Sequence, residues 1–214
     1  LLSAGIVSEE AMKNETKWKL MIEVHVLNLD GIWFGVACDQ LQIVASSFSP
    51  TQQKTLSNVL ASIPYQKPFQ VFVKPSDFAQ TASVCIKKIY DGQGVDEALP
   101  LDYAALPAYT QKVLKATLQI PLGYVASYGA IAKAVGGSPR AVGNVMASNP
   151  FAPIVPCHRV VKTDLKLGGY GGGLRVKVEL LSREKRGFSH SKQVQVDGGS
   201  LKVFPAEYVL NSLV

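Results

Sequence analysis

A turn-rich break across residues 91–107 divides the chain into a first part with the strands of an α+β domain and a second part that becomes basic and helical. The break carries Asp91-Gly92-Gln93-Gly94 and a proline-bounded run over residues 100–107. Before it, residues 19–29 (KLMIEVHVLNL) are rich in Val, Ile and Leu with partial alternation, Asp30-Gly31 supplies a hairpin turn, and IWFGVAC and LQIVASSF continue as strands. An antiparallel sheet is expected. Ser49-Pro50 opens a helix to about Ala61, residues 68–74 (PFQVFVK) return as a strand, and residues 76–90 place Phe78, Val84, Cys85 and Ile89 on an amphipathic helix. With 47% hydrophobic residues over 214 positions the chain can bury a sizeable core, as one large or two small domains, and a disordered tail protein is excluded.

Beyond the break the period becomes helical and the charge changes. Residues 107–188 hold twelve Lys/Arg against three acidic residues, a net of +9, leaving −3 for the rest of a chain whose total is +6. Cations clustered in one half suit a polyanion such as nucleic acid; a solvated basic face on an ordinary enzyme is the plainer reading. Residues 107–120 form a helix with Val113, Leu114 and Leu118 inward, and residues 128–135 (YGAIAKAV) form a short one. Gly136-Gly137 then turns the chain, and Ser138-Pro139 supplies a cap and a first-turn proline for a helix over residues 140–148. Two short helices across a glycine turn are the helix-turn-helix pattern, with the second helix as reader, though such pairs are often only packed helices.

The run PIVPCHRVV after Asn149-Pro150 is too apolar for a surface loop and is expected to cross the core as extended chain, carrying Cys157 inside. Cys157-His158 sets a thiol beside an imidazole, the pairing that makes a nucleophile when a third group orients the base. Adjacent side chains in extended chain point to opposite faces, so a bridging water is the expected link. The second half offers Asp164, Glu179 and Glu184 as carboxylates, with the last helix, over residues 174–185, as the natural source. Taken alone, the adjacency more often marks a buried structural cysteine. Cys38, Cys85 and Cys157 are odd in number and far apart, with no CxxC spacing, which suggests a reducing, intracellular compartment. Cys38, Cys85 and His25 are too scattered for zinc, so neither metal nor cofactor is expected. No apolar run is long enough to span a bilayer, and residues 1–19 show neither a signal-peptide core nor an initiator Met, so a trimmed, soluble, cytoplasmic monomer is expected.

PCHRVV at residues 156–161, preceded by SPRAVGNVMASNP at 138–150 and followed by GGYGGG at 168–173, resembles the O6-alkylguanine-DNA alkyltransferase family. The likeness runs from about residue 107 to 187 with motif order and spacing kept; the first half matches only in α+β character. The resemblance implies an α+β protein: a ribonuclease-H-like sheet domain over residues 1–100, then a mainly helical, winged helix-turn-helix-type domain over 101–188 that carries the acceptor cysteine. Residues 189–214 form an extension outside the family pattern, read as a hairpin turning at Gly198-Gly199.

For chemistry, the resemblance implies irreversible transfer of an alkyl group from guanine O6 in double-stranded DNA to a cysteine, one lesion per protein molecule. Cys157 matches the acceptor, His158 the water-mediated base and Glu184 the carboxylate that orients it, while Glu179 reads as a surface residue. Arg140 matches the finger that fills the stack vacated by the flipped base, and Tyr128 the aromatic that crowds the target phosphate; Ala141 and Gly143 let their helix lie close to the minor groove. Asn149, Val160, Tyr170 and Gly171 fall to the substrate pocket, with Asn149 as the hinge before Pro150. Lys177 matches a family lysine near the pocket loop, or is an exposed helical lysine. Arg159 is ambiguous, with a hydrogen-bonding role that pins the core loop ranked ahead of a DNA contact. Ala152 stands where relatives often have a pocket proline, Gly171 where some have Ser, and Ala147 where some have a basic residue. A lesion sensor without transfer, a helix-turn-helix regulator and a cysteine hydrolase are the competing readings; the presence of Cys157 argues against the first.

Overall fold

The computed structural model describes residues 21–95 and 98–213. The expectations for residues 1–19 and the first two residues of the first strand, Lys19 and Leu20, lie outside them. Strands β1 (Ile22–Leu29), β2 (Ile32–Asp39) and β3 (Gln42–Ser49) form an antiparallel meander. Its first turn works because Asp30 and Gly31 both take positive φ, 53° and 81°, which matches the twist of the flanking strands. Helix α1 (Gln52–Ala61) is capped by Thr51, one residue beyond the expected Ser49-Pro50 start, and β4 (Phe69–Val71) joins β1 in parallel, giving the order β3-β2-β1-β4.

Strand alternation sorts this sheet into two apolar faces. Ile22, Val24, Ala37 and Ala45 pack with Val59 of α1, while Phe34, Val36, Cys38 and Ile43 meet α2 (Asp77–Tyr90). Of the side chains assigned to the face of α2, Val84 is corrected: it is 43% exposed. At 100° per residue it lies opposite the face centred on Ala82, Ile86 and Ile89.

The chain then returns along the free edge of β3, where Ile43 N–H donates to Pro100 O and Ser46 N–H to Pro150 O, so the edge is covered by the second half. Helix α3 (Ala108–Leu118) follows. Leu118, expected inward, is 39% exposed, because Thr117 takes the inward position and donates its hydroxyl to Val113 O. Strand β5 (Tyr124–Ser127) leads directly into α4 (Tyr128–Val135), and Gly136-Gly137 into α5 (Pro139–Ala147), where the Ser138 hydroxyl accepts from Ala141 N–H.

The run through Cys157, expected as extended chain, is bent instead. Cys157–Arg159 is a 3-10 turn, followed by only two strand residues in β6 (Val160–Val161). Pro153 and Pro156 cannot donate to a ladder, and Arg159 N–H instead closes a turn on Pro156 O at 2.9 Å. Helix α6 (Leu174–Arg183) ends with Glu184 as its cap. The extension forms β7 (Lys192–Val196), β8 (Gly199–Pro205) and α7 (Ala206–Leu210), turning at Asp197-Gly198, one residue before the expected pair. Strand β8 pairs with β5, so a second sheet has the order β6-β5-β8-β7. No helix among the described residues is long and apolar enough to cross a membrane.

Candidate active site

The 3-10 turn rather than extended chain sets the geometry of the reactive pair. Its curvature puts Cys157, His158 and Arg159 in one short bend, all three buried. His158 is completely enclosed, and its Nε2 lies 2.8 Å from Glu184 Oε1. A carboxylate at this position only accepts, so Nε2 carries the proton and Nδ1 is left as an acceptor. That Nδ1 is buried and has no hydrogen-bond partner among the described residues. Burial lowers the His158 pKa below its ordinary 6.5 in spite of the opposing pull of Glu184, so the resting imidazole is neutral.

Glu184 is 1% exposed and serves two partners. Arg159 grips it with two parallel hydrogen bonds, Nε to Oε2 and Nη2 to Oε1, both 2.9 Å, and its Nη1 donates to Ile120 O at 2.6 Å. Burial alone would raise the Glu184 pKa; His158 and Arg159 outweigh it and hold the carboxyl well below its ordinary range. With the imidazole neutral at rest, the guanidinium is the charge that keeps Glu184 ionised.

Burial likewise pushes the Cys157 thiol up. A hydrogen bond from the Asn149 side chain, the Lys177 ammonium and the backbone N–H groups of Cys157 and His158 act the other way. The resting sulfur is therefore a thiol, surrounded by groups that stabilise its anion once a base takes the proton. Asn149 is fixed on both sides, donating to Val155 O at 2.9 Å and accepting from Phe151 N–H at 3.0 Å.

Lys177 is fully buried, its Nζ donating to the carbonyls of Val160, Leu167 and Gly169. It thus ties α6 to β6 and to the glycine-rich loop, and burial lowers its pKa to about 8. Val160 is fully buried with its carbonyl committed to this ammonium. Tyr170 and Tyr128 both lie close enough to Cys157 for its charge to raise their pKa, after the larger effect of burial, and the Tyr128 hydroxyl is 3.4 Å from Gly169 O. Gly171 is exposed on the same loop. Lys177→Met should lower the unfolding free energy by on the order of 3 kcal/mol in urea titration, because three carbonyls lose a charged donor. An unchanged midpoint would show that the ammonium does not hold the loop.

Arg140, Ala141 and Gly143 are not part of this buried cluster. Arg140 is exposed at the start of α5, Ala141 and Gly143 are half-buried, and a Cβ added at Gly143 would meet nothing within 4 Å. The inner face of α5, Val142, Val145 and Met146, packs into the core, so the outer face carries Arg140, Ala141, Gly143, Asn144 and Ala147, with Gly143 adding no side chain. Glu179 binds Arg183 Nη2 at 2.6 Å and is half-buried. Three features were not singled out from sequence: the two-pronged grip of Arg159 on Glu184, the hold of Ser46 on Pro150 and Ala152, and Glu207 of α7.

Residues 108–186 match the family model described as 6-O-methylguanine DNA methyltransferase, DNA binding domain. The chain is 39% identical over 100 residues to the methylated-DNA–protein-cysteine methyltransferase of Methanothermobacter thermautotrophicus, covering 46% of this chain and 57% of that protein. It is 38% identical over 120 residues to the protein of the same name from Methanocaldococcus jannaschii, covering 54% and 71%. The chain thus spans little more than half the length of some relatives and over two thirds of others. The crystal structure of Mycobacterium tuberculosis OGT in complex with DNA superposes with a TM-score of 0.60 at 28% identity, covering 76% of this chain and 92% of that one, so the mixed α+β fold is shared. On this combined ground, the chain belongs to the methylated-DNA–protein-cysteine methyltransferase family.

Proposed function

We propose that the protein repairs DNA by taking an alkyl group from O6-alkylguanine onto Cys157, irreversibly and once per molecule. The carrying observation is the buried set Cys157, His158 and Glu184, in which the imidazole is neutral, oriented through Nε2 and unengaged at Nδ1. Nδ1 accepts the thiol proton, directly or through a water. The S–C bond forms as the C–O6 bond breaks, the bonding pair leaves on guanine, and guanine receives the proton that the thiol gave up. A thioether is not hydrolysed, so no turnover follows. Incubation with O6-methylguanine duplex and intact-mass measurement should give one methyl adduct per chain; a multiple-turnover product with unmodified protein would establish a hydrolase instead.

The substrate is double-stranded DNA, from which the base is rotated out. The exposed outer face of α5 and the basic bias of residues 107–188 support this reading, as does the DNA complex of the M. tuberculosis relative. Arg140 would fill the vacated stack, Tyr128 crowd the phosphate, and Ala141 and Gly143 admit the minor groove, while Asn149, Val160, Tyr170 and Gly171 form the pocket. Extrusion costs a few kcal/mol of stacking and pairing, and only duplex substrates require it. Arg140→Ala and Tyr128→Ala are therefore expected to slow transfer from duplex by about ten- to a hundredfold, and from a free O6-substituted guanine by less than about twofold. Equal slowing on both substrates would move these residues from extrusion to pocket or fold.

The same reading takes residues 1–100 as a ribonuclease-H-like scaffold and residues 101–188 as a winged helix-turn-helix-type unit. The order α3, β5, α4, α5, then, after the Cys157 turn, β6 and α6, and last the hairpin β7–β8 with β8 lying between β5 and β7, supports the winged arrangement and gives the hairpin of the 189–214 extension the wing position. A monomer in the cytoplasm with access to DNA fits a chain whose three cysteines are far apart and lack CxxC spacing.

A further inference from the structure

The extension contributes more than a wing-like hairpin. Ala206 and Val209 of α7 are fully buried against Val125 of β5, Val161 of β6 and Leu181 of α6, three elements that frame the reactive cysteine. Ala206 N–H donates to Gly123 O at 2.9 Å, and a Cβ at Gly123 would lie 3.1 Å from the carbonyl oxygen of Glu184. Glu207, 6% exposed, reaches back with Oε1 to accept from the backbone N–H groups of Arg186 at 3.0 Å and Gly187 at 2.6 Å. These are the second and third residues after Glu184.

The first half of the chain holds the same segment from the other side. Arg183 lies over the Tyr90 ring at 4.2 Å and donates to Asp91 Oδ1 at 3.1 Å, and Arg186 Nη2 donates to Gly92 O. Gly92 has φ +72°, and a Cβ there would meet Arg183 O at 2.3 Å, so this approach tolerates no side chain. Residues 183–187 leave a helix end, where backbone groups lack helical partners and the chain frays unless held. The carboxylate that orients His158 stands on this segment.

We propose that Glu207 is a positioning residue for the reaction: by fixing the backbone at Arg186 and Gly187 it holds Glu184 against His158, which makes the C-terminal extension part of the transfer apparatus. The inference rests on the transfer reading given above. Loss of this hold lets Glu184 drift, His158 loses support for its charged form, and less thiolate forms at neutral pH. The charged and titratable groups facing the Cys157–His158–Glu184 set are Arg159 of the same turn, Lys177 of α6, Tyr170 of the glycine-rich loop and Tyr128 of α4. None of them contacts Glu207 among the hydrogen bonds described, so their contribution is common to all variants.

The test compares wild type, Glu207→Ala, Glu207→Asp and Glu207→Gln in the full chain between about pH 5.5 and 9.5, a range chosen to bracket the histidine and thiol titrations. Two readouts are taken: single-turnover transfer from O6-methylguanine duplex, and alkylation of Cys157 by iodoacetamide located by peptide mass mapping. In Glu207→Ala, both transfer and alkylation at pH 7 should fall about tenfold and approach wild type near pH 9.5, where Cys157 ionises without help from its base. Glu207→Gln, which keeps an acceptor oxygen, should recover most of the rate. Glu207→Asp, which withdraws the carboxylate by one methylene but keeps α7, should show the same pH-dependent loss in smaller measure, and it carries the test if the alanine variant does not fold. A uniform loss at every pH, or a profile superposing on wild type in folded protein, would overturn the positioning role. Wild type that takes no methyl group from DNA would sink the transfer reading instead, while the iodoacetamide profiles would still report whether Glu207 governs the thiol.

Discussion

Cys157→Ala is expected to take up no methyl group from O6-methylguanine duplex while keeping duplex affinity within about threefold of wild type, because phosphate contacts rather than a buried sulfur supply most of the binding. The separation of the two effects follows from where the atoms lie. The thiol is enclosed among Asn149, Lys177 and the turn, whereas Arg140 and the outer face of α5 are exposed. Peptide mapping of wild-type protein after reaction should place the adduct on Cys157 alone. Cys38 is the instructive comparison: it too is a buried free thiol, but burial, reinforced by Glu23, pushes its pKa to about 12. It has none of the counteracting donors that surround Cys157, so solvent access is not what distinguishes the two. An adduct on Cys38 or Cys85, or full activity in Cys157→Ala, would remove the proposed acceptor. A parallel loss of affinity would show that the sulfur holds the pocket in shape for the duplex.

Much of this arrangement was legible in the chain itself, for identifiable reasons. Turns that demand positive φ, as at Asp30-Gly31, and capping residues such as Ser138 act locally, so they read correctly without tertiary knowledge. Lys177 shows a signal that was present but underused. It lies three and four residues before Leu180 and Leu181 and seven before Glu184, which places a lysine and a carboxylate on the buried face of α6. A cation on an inward face needs acceptors, and the glycine-rich loop has carbonyls to offer. Val84 and Leu118 show the opposite limit: an apolar side chain does not by itself mark the inward face, which is set by its angle relative to the other core residues of the helix. The 3-10 turn at Cys157 was misread because an apolar run does not distinguish a strand from a bend when prolines interrupt it. Ser46 and Glu207 left no mark at all. Their partners are more than a hundred residues away in one case and backbone groups in the other, and neither spacing nor residue type announces that.

His158→Ala should cut single-turnover transfer at neutral pH by at least ~100-fold, and the way the loss varies with pH identifies its cause. In wild type, burial holds the His158 pKa below 6.5, so the neutral base is available throughout the neutral range and the rate should fall only as acid protonates it. Without the imidazole, the thiolate must come from simple ionisation of Cys157. Burial raises that pKa, so the rate of the variant should climb about tenfold per pH unit through the neutral and mildly alkaline range and close on wild type at high pH. Glu184→Gln should be milder in rate, since the ring remains and an amide oxygen can still accept from Nε2, but it leaves Arg159 buried without its counter-charge. Removing one partner of such a pair costs roughly 3–5 kcal/mol, so this variant should lose stability at least as plainly as it loses rate. Thermal unfolding measured beside each pH profile separates the two. Should folded His158→Ala retain a wild-type profile, Nδ1 is not the proton acceptor, and activation of Cys157 would fall to Asn149, Lys177 and the backbone N–H groups already aimed at its sulfur.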